Sequence, residues 1–129
     1  MLTAFTAPAQ TPSAPKHHAV IQLTEPEGDA WGTLIAHVEN MQAAFEKDGG
    51  VQIEVVFFGP GVTMLRKTNF AYMDDLKRLA DKGVIIAACQ NAMKFFKLKT
   101  EDLFPFATQV DAGVAEVVRK QEAGWAYLH

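Results

Sequence analysis

The clearest indication of the fold class is the run Val84-Ile85-Ile86-Ala87-Ala88-Cys89. All of its residues are apolar, which is typical of a central strand in a parallel sheet that is covered on both faces. The stretch Ile53-Glu54-Val55-Val56-Phe57-Phe58 has nearly the same character and stops at Gly59-Pro60-Gly61. We therefore predict two strands that are buried on both faces.

Helical patterns alternate with strand patterns along the rest of the chain. In the first helix the apolar residues recur at steps of three and four, as expected for one buried face: Trp31, Leu34, Ile35, Val38, Met41 and Phe45. Helices are predicted at 29–48, 69–82, 91–96 and 112–123. In the last of these helices, the expected buried side consists of Val114, Ala115, Val117 and Val118.

The order of the elements predicts the fold. Besides the helices, strands are expected at 19–23, 51–58, 84–89, 107–110 and 125–128. Strands that alternate with helices indicate the α/β class with right-handed crossovers. We predict a three-layer α/β/α sandwich with a mainly parallel sheet of about five strands, similar in architecture to flavodoxin and Rossmann folds.

The length of the chain favours a single domain. With 129 residues, of which 49% are apolar and 21% are charged, the chain can form one hydrophobic core but not two. Residues 1–16 are rich in Ala, Thr and Pro and show no periodicity, so we predict a flexible N-terminal tail, either disordered or lying on a neighbouring subunit. Residues 17–129 are predicted to form the domain.

Charge and hydropathy argue against two classes of partner. The formal net charge of -3 provides no basic surplus for a phosphate backbone, so we expect no nucleic acid partner. The longest apolar runs are far shorter than the roughly 20 residues that span a bilayer, so we expect no membrane partner. The first residues lack the features of a secretory signal, and a single cysteine suits a reducing compartment. We therefore predict a cytoplasmic location.

Three strand ends carry the candidate site residues, because ligands of open parallel sheets bind outside the carboxyl ends of the strands. The candidates are Thr24 and Glu25 after the first strand, Gly59 and Gly61 after the second, and Cys89, Gln90 and Asn91 after the third. Cys89 is the predicted catalytic residue, since it is the only thiol in the chain. The other six candidates are predicted to contact the substrate.

Cys89 is open to two interpretations. A thiol at a strand end that also begins a helix lies near free amides and the positive end of the helix dipole, which favour the thiolate. The backbone amides of Gln90 and Asn91 are the expected donors to this sulfur. Alternatively, Cys89 only ends a hydrophobic run and is buried and inert.

The supporting candidates also have structural interpretations. The Asn91 side chain is either a donor to sulfur or a helix cap, and Gly59 and Gly61 either admit a ligand closely or form a tight turn. Glu25 is a general base, a repulsive charge for anionic donors, or a solvated loop residue. The sequence shows neither metal-ligand spacing nor a complete phosphate-binding glycine pattern, so we predict no metal and no cofactor.

Several short motifs follow one another on successive elements: Phe58-Gly59-Pro60-Gly61, Ala88-Cys89-Gln90-Asn91, Glu101-Asp102-Leu103 and the segment 113–119. In this order, over residues 18–129, they resemble the DsrE/DsrF-like family. The resemblance implies an α/β subunit that assembles into trimers or hexamers, and better-known members pass sulfur as a cysteine persulfide within a relay. The family's cysteine falls on Cys89. Relatives often have a smaller residue at the position of Gln90. The larger side chain of Gln90 would therefore crowd an incoming sulfur donor.

The leading hypothesis is therefore a sulfur carrier or sulfurtransferase that holds sulfane sulfur on Cys89 between a donor and an acceptor protein. The first alternative is a non-catalytic oligomeric subunit that binds a small ligand or a partner, and a redox-sensing thiol is the second. Nine phenylalanines in a small domain add to the expectation of a homo-oligomer. Phe95-Phe96 is the candidate for a subunit interface or a pocket wall.

Overall fold

The computed structural model describes residues 14–129, so most of the predicted N-terminal tail lies outside the described residues. The strands are β1 His17–Leu23, β2 Val51–Phe57, β3 Ile85–Cys89, β4 Thr108–Val110 and β5 Ala126–Leu128. The helices are α1 Asp29–Phe45, α2 Phe70–Asp81, α3 Gln90–Phe95 and α4 Gly113–Glu122. Short 3-10 helices lie at Glu46–Asp48, Gly59–Leu65 and Thr100–Asp102. Within the described part of the chain, no helix has both the length and the apolar character needed to cross a membrane.

The five strands form one sheet in the order β4-β3-β2-β1-β5, and every pair of neighbours is parallel. With helices against this sheet, the predicted α/β sandwich is confirmed. Parallel strands place their carboxyl ends along one edge. Here Leu23 pairs with Phe57, Phe57 pairs with Ala88, and Cys89 pairs with Val110. The predicted strand-end sites therefore share this edge.

The chain order decides which helices cover which face of the sheet. From β1 to β4 the strands are added in one direction, whereas β5 returns to the far side of β1. Right-handed crossovers then place α1, α2 and α3 on one face and α4 on the other. The buried residues accordingly form two clusters. The larger cluster includes Leu34 of α1 and Leu76 of α2, and the smaller one joins Val20, Val56 and Ala87 to Val117 of α4.

The predicted buried side of the last helix is wrong at two of its four positions. Val117 is buried and Ala115 is partly buried, but the side chains of Val114 and Val118 are 63% and 53% exposed. The reason lies in the strand beneath the helix, where Glu54 of β2 is buried. Because α4 provides polar partners for this carboxyl group, it turns part of its polar surface inward and its two outer valines toward solvent.

Candidate functional site

Cys89 ends β3 and is also the N-cap residue of α3. Its backbone is extended, with φ -74° and ψ 119°, and its sulfur accepts a hydrogen bond from the backbone N–H of Ala92 at 3.4 Å. This is the bond that a serine or aspartate side chain makes at an N-cap, where the first amides of a helix have no backbone partner. The Cys89 sulfur thus takes the place of a capping oxygen.

A second amide reaches the same sulfur from another element. The backbone N–H of Gly113, the first residue of α4, donates to Cys89 Sγ at 3.2 Å. The start of α4 lies here because β4 pairs with β3, which places Val110 beside Cys89. Two amide hydrogens, each with a positive partial charge, are directed at one sulfur. Such an arrangement stabilises a sulfur anion.

The close approach of α4 depends on the absence of a side chain at Gly113. A Cβ atom there would lie 2.6 Å from both Cβ and Cγ of Phe58, which is too close for any real contact. Phe58 follows β2 directly, so the packing of Gly113 on Phe58 connects three neighbouring segments around the thiol. Any larger residue at position 113 would have to move the beginning of α4.

The thiol lies at the inner end of an open cavity of about 570 Å³. Cys89 itself is only 5% exposed, whereas Phe95 and Val114, which line the same cavity, are 80% and 63% exposed. The lining is completed by Phe58, Gly59, Pro60, Asn91, Ala92, Phe96, Ala112 and Gly113. Small-molecule sites typically have volumes of about 300–1,000 Å³ and mostly apolar walls. Phe95 and Phe96, predicted to form an interface or a pocket wall, both line this cavity.

The structure brings three of the predicted site residues together: Cys89, Asn91 and Gly59 all line this cavity. Asn91 is not the helix cap, because Cys89 fills that position. Gly59 has a φ of 54°, in the left-handed region that favours glycine, and begins the 3-10 helix after β2. Their contact with a substrate remains a prediction.

Gln90 lies beside Cys89 in sequence but its side chain is directed elsewhere. Its amide nitrogen donates to Oε1 of Gln109 at 3.2 Å, and it lines a different cavity, next to Thr100. The backbone donors predicted for the sulfur are also different, since Ala92 and Gly113 make these bonds in place of Gln90 and Asn91. Gln90 therefore does not line the thiol cavity.

Gly61, Thr24 and Glu25 do not line the thiol cavity. Gly61 packs against the end of β1, where a Cβ atom would lie 2.1 Å from the carbonyl oxygen of Leu23, and its N–H donates to the carbonyl of Thr24 at 3.2 Å. Glu25 is exposed and lines a smaller cavity of about 150 Å³ near His37. These contacts explain Gly61 by packing alone.

A buried carboxyl group lies under α4, away from the thiol. Glu54 is 3% exposed, its Oε2 atom has no hydrogen-bond partner among residues 14–129, and its Oε1 atom lies 4.0 Å from Nζ of Lys120. Burial, as the larger cause, and the neighbouring Glu116 together raise the pKa of Glu54 to about 7, and Lys120 opposes this increase. The sequence places Glu54 in an apolar strand but gives no sign of its partners.

This fold and this site define a small α/β protein with one thiol at the carboxyl end of an interior strand, at the inner end of an apolar cavity. The chain belongs to the DsrE/DsrF-like family, whose sequence model matches residues 16–129. The resemblance found in the sequence is thereby confirmed.

Two solved structures are similar to this chain. The first is MTH1491 of Methanobacterium thermoautotrophicum, a protein of unknown function, with 33% identity, a TM-score of 0.81, and coverage of 87% of this chain and 97% of that one. The second is the ychN protein of E. coli, with 14% identity, a TM-score of 0.63 and the same coverage, which supports the fold alone. No curated protein matches the chain.

Proposed function

We propose that this protein is a sulfur carrier, or sulfurtransferase, in which Cys89 holds sulfane sulfur as a persulfide. Membership of the DsrE/DsrF-like family supports the coarser statement, a role in sulfur relay. The finer statement depends on the surroundings of the thiol. The observation that carries it is the sulfur of Cys89, which accepts two backbone amide hydrogen bonds and opens on a cavity.

A persulfide carrier needs a thiolate that attacks a sulfane sulfur, protection of the product from further oxidation, and access for the acceptor thiol. The amides of Ala92 and Gly113 stabilise negative charge on the attacking sulfur. The low exposure of Cys89 limits contact of the product with oxidants in bulk water. The cavity provides the route for the donor and then for the acceptor. The chemistry needs no cofactor.

The experiment is sulfur loading followed by intact-mass and peptide-mass measurement. The protein is incubated with a small persulfide donor, freed of the donor, and compared with the Cys89→Ser variant. The proposal predicts the mass of one added sulfur on the peptide that contains Cys89, its loss on treatment with dithiothreitol, and no addition to the variant. An unmodified wild-type protein, or equal addition to both proteins, would count against it.

A second candidate is a non-catalytic subunit that binds a small ligand or a partner through the same cavity. The 5% exposure of Cys89 and the apolar lining favour it, since both are also features of a packed core cysteine beside a binding pocket. Alkylation of Cys89 distinguishes a sulfur carrier from a non-catalytic binding subunit. A carrier thiol should react with iodoacetamide at neutral pH in the folded state, whereas a packed thiol should react only after unfolding. A redox sensor would instead oxidise with peroxide and take up no sulfane sulfur.

We also propose that the protein forms a homo-oligomer and works in the cytoplasm. Large apolar side chains on the surface support an oligomer, with Phe70 73% exposed and Phe95 80% exposed. A reducing compartment supports a carrier whose only cysteine must return to the thiol after each transfer. Sulfur donor and acceptor proteins would be its partners.

A further inference from the structure

In the part of the chain that the structure describes, the walls of the thiol cavity carry no charged side chain. Among its lining residues only Asn91 and Cys89 have polar side chains, and the others are Phe, Pro, Ala, Val and Gly. The two amides nearest the sulfur, those of Ala92 and Gly113, already donate to Cys89. A charged molecule entering the cavity would therefore lose water without gaining a partner of opposite charge, which is costly.

The depth of the thiol makes the lining important for the choice of donor. Because Cys89 is 5% exposed, a donor must bring its sulfur into the cavity before the thiolate can attack it. The group attached to that sulfur then lies against the apolar walls, among Phe58, Phe95, Phe96 and Val114. Contacts with these walls therefore raise the rate of sulfur transfer to Cys89 more for an apolar group than for a polar one.

We propose that the sulfur donor of this site is a persulfide whose substituent R is uncharged and apolar, aliphatic or aromatic, and which reacts in its protonated form, R–S–SH. This inference rests on the proposed function and names its substrate class. Charged donors, such as thiosulfate or a persulfide carried by glutathione, are disfavoured by the same cavity. The volume of about 570 Å³ leaves room for a substituent of several carbon atoms beside the reacting sulfurs.

The transfer step is balanced without an added oxidant. The Cys89 thiolate attacks the terminal sulfur of R–S–SH, a sulfur–sulfur bond forms to Cys89, and the bond between that sulfur and R–S breaks. The proton stays on the transferred sulfur, so the products are Cys89–S–SH and the thiolate R–S⁻. Cys89 is oxidised to the persulfide level while the donor is reduced to a thiol.

The test compares two persulfides that differ only in the substituent, butyl persulfide and glutathione persulfide. The rate of sulfur loading on Cys89 is measured by mass spectrometry for each, and each rate is divided by that of free N-acetylcysteine with the same donor. This division corrects for the difference in intrinsic reactivity between the two donors. We expect the normalised rate to favour butyl persulfide by at least about tenfold, since even one methylene in an apolar pocket provides about 10-fold discrimination.

A matched pair of variants tests whether the cavity is the cause. Val114 lines the cavity, whereas Val118 lies one helical turn further along α4, is similarly exposed, and does not line it. Val114→Lys should lower the preference for butyl persulfide severalfold. Val118→Lys should keep it, because salt weakens the effect of a more distant surface charge. Both side chains are largely exposed, so both variants are expected to fold.

Three outcomes are informative in different ways. A butyl preference that falls in Val114→Lys and persists in Val118→Lys supports the inference. Equal normalised rates for the two donors, or equal changes in the two variants, overturn it while leaving the sulfur-carrier proposal intact, because Cys89 would still be loaded. No loading from either donor contradicts the sulfur-carrier proposal itself, and the inference with it.

Discussion

The sulfur of Cys89 accepts a hydrogen bond from the backbone amide of Gly113 at 3.2 Å, although the two residues are 24 positions apart in sequence. This contact joins the end of β3 to the start of α4. It exists because Gly113 has no side chain to separate the helix from Phe58. The environment of the thiol is therefore built by long-range packing and only in part by the local helix.

Substitution of Gly113 by alanine should disturb both the packing and the thiol. The new Cβ would lie 2.6 Å from Phe58, so the start of α4 must move away from the sulfur. We expect the free energy of unfolding to fall by about 1–3 kcal/mol, as for other overpacked sites. We also expect Cys89 to be alkylated severalfold more slowly in the folded protein, measured with iodoacetamide at neutral pH.

Gly32→Ala is the matched control for this variant. Gly32 lies within α1, and a Cβ there would be 3.5 Å from the Tyr72 hydroxyl oxygen, an ordinary contact. Alanine in a helix interior is worth about 0.5–1 kcal/mol over glycine, so stability should rise slightly and alkylation should not change. An alkylation rate in Gly113→Ala equal to that of wild type would show that the second amide has no effect on the thiol.

Much of the fold could be predicted because the central strands have an unambiguous pattern. The apolar runs that end at Phe58 and Cys89 are typical of buried parallel strands. The observed strands, which end at Phe57 and Cys89, both lie within the sheet. The exposure of Val114 and Val118 on α4 could not be predicted in this way. Apolar periodicity places Val114 and Val118 inside, but the buried Glu54 on the facing strand draws Glu116 and Lys120 inward.

The candidate site was predictable at Cys89 but not in its partners. A thiol at a strand end before a helix identifies the position, since strand ends of parallel sheets meet at one edge. The donor Gly113 depends on how α4 packs after β4, which no local pattern encodes. The direction of the Gln90 side chain depends likewise on a bond to Gln109, 19 residues away.

The neighbours Gln90 and Asn91 provide a test of which side chains reach the donor. Asn91 lines the thiol cavity, whereas Gln90 is directed toward Gln109. We expect Asn91→Ala to slow sulfur loading of Cys89, because it removes a side-chain amide that can donate a hydrogen bond to negative charge on the reacting sulfurs. Gln90→Ala should leave the rate unchanged. Both rates are measured by mass spectrometry with butyl persulfide. Faster loading in Gln90→Ala would instead support crowding of the donor by Gln90.

The buried Glu54 predicts a pH dependence of stability. Its pKa is raised from 4.5 to about 7 by burial and by the neighbouring Glu116, so the folded protein holds a proton that the unfolded chain has released between these values. Raising the pH through this window therefore favours unfolding. The difference between the two pKa values corresponds to a loss of at most about 3 kcal/mol in the free energy of unfolding. This loss is nearly complete above about pH 7.

Glu54→Gln is the variant that isolates this effect. Denaturant unfolding between about pH 5 and about pH 8 should show wild type losing stability relative to Glu54→Gln as the pH rises. Glu101→Gln, which removes an exposed carboxylate, is the control and should follow wild type. A stability difference between wild type and Glu54→Gln that is constant over this range would show that Glu54 does not hold the proton.

The exposed apolar side chains predict an oligomer at working concentrations. Phe70 and Phe95 are 73% and 80% exposed in the single chain, and burial of such side chains between copies is favourable. Multi-angle light scattering at about micromolar concentration should therefore give a mass of several subunits, with three or six as the expected numbers. A monodisperse monomer over this concentration range would contradict the proposal.

Cys89 is proposed both to accept sulfur and to release it to another thiol. The most direct test is to load the wild-type protein, remove the donor, and add an excess of a small acceptor thiol while the mass of the Cys89 peptide is followed. We expect the added sulfur to leave Cys89 and an equal amount to appear on the acceptor or as sulfide. A Cys89 thiol that never gains sulfur would contradict this proposal. So would a loaded Cys89 that keeps its added sulfur under conditions in which free cysteine persulfide loses all of its own.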